Sequence, residues 1–107
     1  MFHMTKETYY FFFGKLANKL KINIIEELRN GEKSVMELVN KLKVEQSKLS
    51  HALANLRCCS IVLYKQKGKQ RIYSLNKETI IPILNIIDKH EKKFCEHCCM
   101  RKRLREK

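Results

Sequence analysis

Three cysteines and a histidine fall within five positions, Cys95, His97, Cys98 and Cys99 in FCEHCC, and a run of positive charge follows them. On a helix that continues past Phe94 the thiols occupy positions i, i+3 and i+4, which share one face. Three thiolates so placed suit a soft ion: zinc completed by His97 or His90, copper(I), or arsenic(III). His97 projects away from Cys95 on a continuous helix and joins the set only where the helix unwinds. The C-x-x-C pair could instead close a reversible disulfide under oxidants, giving a redox-responsive protein, and Cys98, four residues after Phe94, could extend an apolar seam. A second pair, Cys58 and Cys59, ends a helical stretch. Cys59 falls near the apolar side of that helix, where a thiol packs as a small hydrophobe.

A different chemistry is written in residues 46–51 and 65–71. Gln46, Ser47, Lys48, Ser50 and His51 are hydrogen-bonding side chains at the start of a helical stretch. A helix laid in the major groove needs such groups to reach base edges. Lys65, Lys67, Lys69 and Arg71 lie in a segment, 61–76, that holds no acid. They can meet phosphates beside the groove or enter the minor groove. The chain of 107 residues carries a formal charge of +12, with five Lys/Arg in 95–107 against Glu96 and Glu106. Such patches suit a polyanion, most simply double-stranded DNA. A general nucleic-acid-binding protein would carry the same charges without a sequence preference.

The elements that must position these groups follow a mostly helical apolar period. Residues 6–17 form an aromatic-rich first helix whose apolar surface exceeds what one face needs, so it anticipates a partner as well as a core. Residues 18–29 place Leu20, Ile24, Ile25 and Leu28 on one stripe, and Gly31 follows where a helix end favours a left-handed residue. Ser34 and Glu37 have capping-box spacing and open a short helix to about Leu42, with Met36, Leu38, Val39 and Leu42 as its apolar contacts. Leu49, Ala52, Leu53 and Leu56 are the buried stripe of the next helix. Two strands, 61–65 and 71–75, flank a turn at Gly68. Residues 77–94 return to helix, with Ile80, Ile83, Leu84, Ile87 and Phe94 on an apolar face and Pro82 near the helix start, where its missing amide is tolerated. The expected fold is mainly α with a small β-hairpin wing: a winged helix-turn-helix over 1–94, followed by a cysteine-rich, basic extension at 95–107.

From Phe13 to about Phe94 the chain resembles the ArsR-type (SmtB-like) family of winged-helix repressors. The matching stretches are KLANKLKINIIEEL, GEKSVMELVNKL, VEQSKLSHALANLR and KGKQRIYSLN. The most specific part is Q-S-x-L-S-H-x-L-x-x-L-R followed by R-x-Y-S-L. The resemblance implies a homodimer, paired through its first and last helices, that represses operons until an inducer binds. Two known family sites are not carried over. The helix before the DNA-reading helix is SVMEL, without the cysteine pair of metalloid-sensing relatives. Asp88 and His90 have the Asp-x-His spacing of the zinc-sensing last helix, but no second pair follows at the expected distance. Lys21 stands where relatives often have arginine, and Ser60 where they often have glycine.

Other classes fit less well. Asp88 is the only aspartate, the three glycines are far apart, and no phosphate-binding loop or nucleophile–base pair is legible, so no enzyme is expected. A thiol oxidoreductase built on Cys95 and Cys98 would leave the helix and hairpin unexplained. The longest apolar run, YYFFF at 9–13, falls far short of the about 20 residues a spanning helix needs, so no membrane partner is expected. With no signal peptide evident and an odd count of five cysteines, the expected location is the cytoplasm.

Overall fold

The computed structural model describes residues 6–95. Its elements run α1 (Lys6–Leu16), α2 (Lys19–Arg29), β1 (Lys33–Ser34), α3 (Val35–Leu42), α4 (Gln46–Cys58), β2 (Val62–Lys67), β3 (Gln70–Leu75) and α5 (Ile80–Phe94). The chain divides into two compact units, one ending at Asn76 and one beginning at Lys77.

In the first unit, α2 starts one residue later than its apolar period suggests because Asn18 serves as the cap. Its side-chain oxygen accepts the Lys21 amide at 3.0 Å. Ile24, Ile25 and Leu28 are buried from this helix, while Leu20 is half-buried. Gly31 takes φ +140°, a conformation closed to most side chains, where the chain turns toward α3. The capping box of α3 is closed in both directions. Ser34 Oγ accepts the Glu37 amide at 3.2 Å, and Glu37 Oε1 accepts the Ser34 amide at 2.9 Å. The hydrogen bond from the Ser34 backbone, then that of its hydroxyl, holds the Glu37 carboxyl below the usual carboxylate range. With a depressed folded value, Glu37 adds stability above its ordinary titration range that is lost as the pH falls.

Ser34 also belongs to β1, which pairs with β3 through Lys33↔Tyr73 and Ser34↔Ile72, so the sheet is three-stranded in the order β1-β3-β2. Leu38 is fully buried and Val39 and Leu42 half-buried, but Met36 is exposed, contrary to expectation. Two residues on a helix are separated by about 200°, so Met36 faces away from Leu38.

Helix α4 buries Leu49, Ala52, Leu53 and Leu56 and packs on α2, α3 and β2. Its end corrects the expectation that Cys59 joins the core. Cys59 is the exposed C-cap, with φ −104° and ψ 15°. The chain has already left the helix there, and Ile61 folds back in its place. The Ile61 amide reaches the Leu56 carbonyl at 3.1 Å and the Ser60 amide reaches that of Arg57 at 2.9 Å, a Schellman closure in which Leu56 and Ile61 are both fully buried. Ser60 supplies the left-handed residue, at φ 56°. An L side chain pays about 1–2 kcal/mol for that conformation, partly offset by the greater unfolded freedom of glycine. Ser60→Gly is therefore expected to raise stability by about 0.5–1 kcal/mol, read as a higher urea midpoint with an unchanged slope.

The hairpin is longer than the expected strands. Pairing continues to Lys67↔Gln70, leaving Gly68 and Lys69 as a two-residue turn. Gly68 takes φ +65° and Lys69 is not among the left-handed residues, the pattern of a type II′ turn, which favours glycine first.

In the second unit a turn at Lys77–Thr79 delays α5 to Ile80, so Pro82 is its third residue and interrupts no intrahelical bond. Its expected apolar face is unevenly exposed. Ile80 is buried and Ile83 and Leu84 are half-buried, whereas Ile86, Ile87 and Phe94 are exposed. The helix ends at Phe94, and Cys95 caps it, its amide donating to the Glu91 carbonyl at 2.9 Å. Among the described residues, no helix is long and apolar enough to cross a membrane.

Candidate nucleic-acid interface

The capped start of α3 and the buried stripe of α4 fix how the two helices present themselves. They are joined by Lys43, Val44 and Glu45, with Lys43 in the left-handed conformation at φ 54°. With Leu49, Leu53 and Leu56 turned inward, Gln46, Ser47, Lys48, Ser50 and His51 are all exposed. The hairpin that follows completes a winged helix-turn-helix.

Gln46 and Ser50 share a stripe with Ala54 and Arg57. Together they form one wall of an open cleft of about 480 Å³. The start of α3 at Ser34–Met36 and the hairpin, with Lys69 of its turn and Arg71 and Tyr73 of β3, form the others. The structure thus brings Gln46, Ser50, Lys69 and Arg71 of the expected set to one place. Ser47, Lys48 and His51 lie outside the cleft, on exposed surface of α4. Lys65 and Lys67 alternate with Gln66 and so occupy the other hairpin face. Lys65 Nζ stands 3.3 Å from Glu32 Oε2, both side chains well exposed. Such a pair contributes at most about 1 kcal/mol and leaves Lys65 able to exchange partners.

Two residues that the sequence reading did not single out organise the cleft. The Arg57 guanidinium lies over the Tyr64 ring at 4.9 Å from its centroid, and the Arg71 guanidinium lies over the same ring at 4.8 Å. Tyr64 faces Tyr73 in register, with ring centroids 5.5 Å apart. The signal for Arg57 was its helical spacing from Gln46, Ser50 and Ala54. That for Tyr64 was its diagonal relation to Arg71, which appears only once the strand register is known. Behind the exposed face, Lys21 Nζ donates to Asn55 Oδ1 at 2.6 Å and Lys15 Nζ to the Asn55 carbonyl at 3.4 Å, tying α1 and α2 to α4.

Of the candidate ion-binding set, Cys95 is half-buried and the His90 ring stands 5.0 Å from that of Phe94. His97, Cys98 and Cys99 lie outside the described residues. Among the described residues, no three His, Cys, Asp or Glu side chains gather as a metal-binding group. Cys58 is exposed beside Cys59 at the end of α4.

Comparison with known proteins agrees with this architecture. Residues 18–64 match the model of the bacterial regulatory protein, arsR family. The chain is 34% identical over 79 residues to the uncharacterized HTH-type transcriptional regulator Rv0081 of Mycobacterium tuberculosis, spanning 73% of this chain and 69% of that protein. The crystal structure of Rv0081 matches with a TM-score of 0.74 at 31% identity, over 82% of this chain and 88% of that one. The HTH-type transcriptional regulator NmtR of the same organism is 33% identical over 70 residues, 65% of this chain and 58% of NmtR. A transcriptional repressor SmtB homolog of Synechocystis sp. is 29% identical over 79 residues, 74% of this chain and 60% of the homolog. The chain belongs to the arsR family of bacterial regulatory proteins. It spans less than two thirds of the length of NmtR and of the SmtB homolog.

Proposed function

We propose that this chain is a homodimeric transcriptional repressor of the cytoplasm that binds double-stranded operator DNA. The observation that carries the reading is the exposed polar start of α4 beside a cleft whose lining holds Arg57, Lys69 and Arg71 and no carboxylate. In this reading Gln46, Ser47, Lys48, Ser50 and His51 face base edges, and Lys65, Lys67, Lys69 and Arg71 meet the backbone. Residues 1–94 carry DNA binding and dimerisation. The naming of Rv0081 and NmtR as transcriptional regulators supports the assignment.

The extension at 95–107 is the sensing segment of this proposal. Cys95, Cys98 and Cys99, with His97 or His90, would hold zinc, copper(I) or arsenic(III); their donor chemistry suits a soft ion. An inducer lowers DNA affinity only as far as it binds the released conformation more tightly than the DNA-bound one.

Duplexes selected from a random pool, competed against unselected duplex at fixed salt, test the operator reading. A preference of about a thousandfold or more is expected, and equal affinity would make the protein a general nucleic-acid binder. For the sensing segment, native mass spectrometry of reduced, oxygen-free protein with zinc, copper(I) or arsenite should show one ion per protomer. Serine at Cys95, Cys98 and Cys99 is expected to abolish uptake and induction while leaving DNA affinity within about twofold. Equal induction by that variant would remove the sensing assignment.

A further inference from the structure

Arg57, Lys69 and Arg71 line one cleft without an accompanying carboxylate. Like charges gathered on a concave wall repel one another, and an entering anion relieves that repulsion. The two arginines are also held in place. Their guanidiniums lie 4.9 and 4.8 Å from the centroid of the Tyr64 ring. A stacked guanidinium keeps its donors free, because stacking uses the plane of the group while its N–H bonds point outward in that plane. Gln46 and Ser50 add neutral donors along the same wall.

We propose that this cleft is a seat for a backbone phosphate of double-stranded DNA, with Arg57 and Arg71 as its ligands and Tyr64 as the positioning residue that aims both. The assignment rests on the DNA-binding reading above and adds to it a site at the far end of α4. Arg57 follows Gln46 by about 16 Å along the helix axis, at 1.5 Å per residue. A phosphate held there limits how far α4 can slide along the groove while its first turns reach the bases. Because a phosphate contact carries no base information, its loss weakens all duplexes alike.

The test is a fluorescence-anisotropy titration of the full chain with a mixed-sequence duplex over a series of sodium chloride concentrations. Arg57→Gln and Arg71→Gln should each weaken binding about five- to tenfold and lower the slope of log affinity against log salt by about one. Arg57→Lys keeps the charge and loses the planar fork, and is expected to bind about as weakly as Arg57→Gln. Tyr64→Leu, with net charge unchanged, should lose about threefold or more, whereas Tyr64→Phe, which keeps the ring, should bind as the wild type does.

Arg57→Gln with wild-type affinity and slope would overturn the seat. Arg57→Lys or Tyr64→Leu binding as wild type would overturn the positioning by Tyr64, since charge alone would then suffice. A wild-type chain without salt-dependent duplex binding would sink the DNA reading and this seat together. Titration with orthophosphate at matched ionic strength separates the two sources of phosphate. Orthophosphate binding that Arg57→Gln abolishes, with duplex affinity untouched, would assign the cleft to a free anion and overturn the DNA assignment.

Discussion

Leu53→Ala should cost about 2.7–5 kcal/mol of folding stability. Leu53 is fully inaccessible in the middle of α4, the helix that packs on α2, α3 and β2. Truncation removes the transfer energy of the buried atoms and leaves a cavity. Ile24, Leu38, Leu49 and Leu56, fully buried on these same elements, are held by their helices and cannot all move to fill it. A domain of this size is stable by about 5–15 kcal/mol, so the loss consumes a large share of the total. Urea unfolding measures it, as a lower midpoint at constant slope. The same variant should keep DNA affinity per folded molecule, because no exposed α4 residue has changed. Arg57→Gln should behave in the opposite way, losing DNA while its stability falls by no more than about 1 kcal/mol, the worth of its exposed stack on Tyr64. A Leu53→Ala cost below about 1 kcal/mol would mean that α4 is not seated as described, and the faces assigned to Gln46 and Arg57 would fall with it.

What could be read from the sequence divides along physical lines. The capping box at Ser34 and Glu37, the inward stripe of α4 and the strand alternation are local patterns with fixed periods, and each was legible. Strand β1 was not, because two residues cannot show an alternation and Lys33–Ser34 are strand only by pairing with β3. Cys59 was misplaced because helical spacing continued past a helix that had ended, and the closing turn through Ser60 put Ile61 where Cys59 was expected. Ser60 itself was legible as an oddity, a serine where relatives often carry glycine, and its φ of 56° gives the reason. At the site, Gln46 and Ser50 were named from their place at a helix start. Their relation to Arg71 and Tyr64 required the tertiary placement of the wing, which no periodicity encodes.

The proposed dimer carries the second large expected effect. Tyr9 to Phe13 are five consecutive aromatics on α1. At about 100° per residue they point in every direction around the helix, so no single packing face can cover them. Tyr10 is 78% exposed and Phe11 66%, and α1 buries no residue completely. On α5, Ile86 and Phe94 are each 67% exposed. Surfaces of this kind mark association sites on soluble proteins. Tyr10→Ser combined with Phe11→Ser should weaken self-association by about 4 kcal/mol, close to a thousandfold, if each aromatic counts as an interface anchor of about 2 kcal/mol. Sedimentation equilibrium across protein concentration reads this directly, with a wild-type dimer and a variant monomer at the same micromolar loading. DNA affinity should fall as well, because a monomer engages one half-site and forfeits an effective-concentration gain of about a hundredfold or more. Its salt slope should fall toward half, since half the phosphates are contacted. A variant that stays dimeric would move the interface away from α1. A wild-type monomer at high concentration would leave the aromatic helix to a different partner and make the operator reading that of a single half-site.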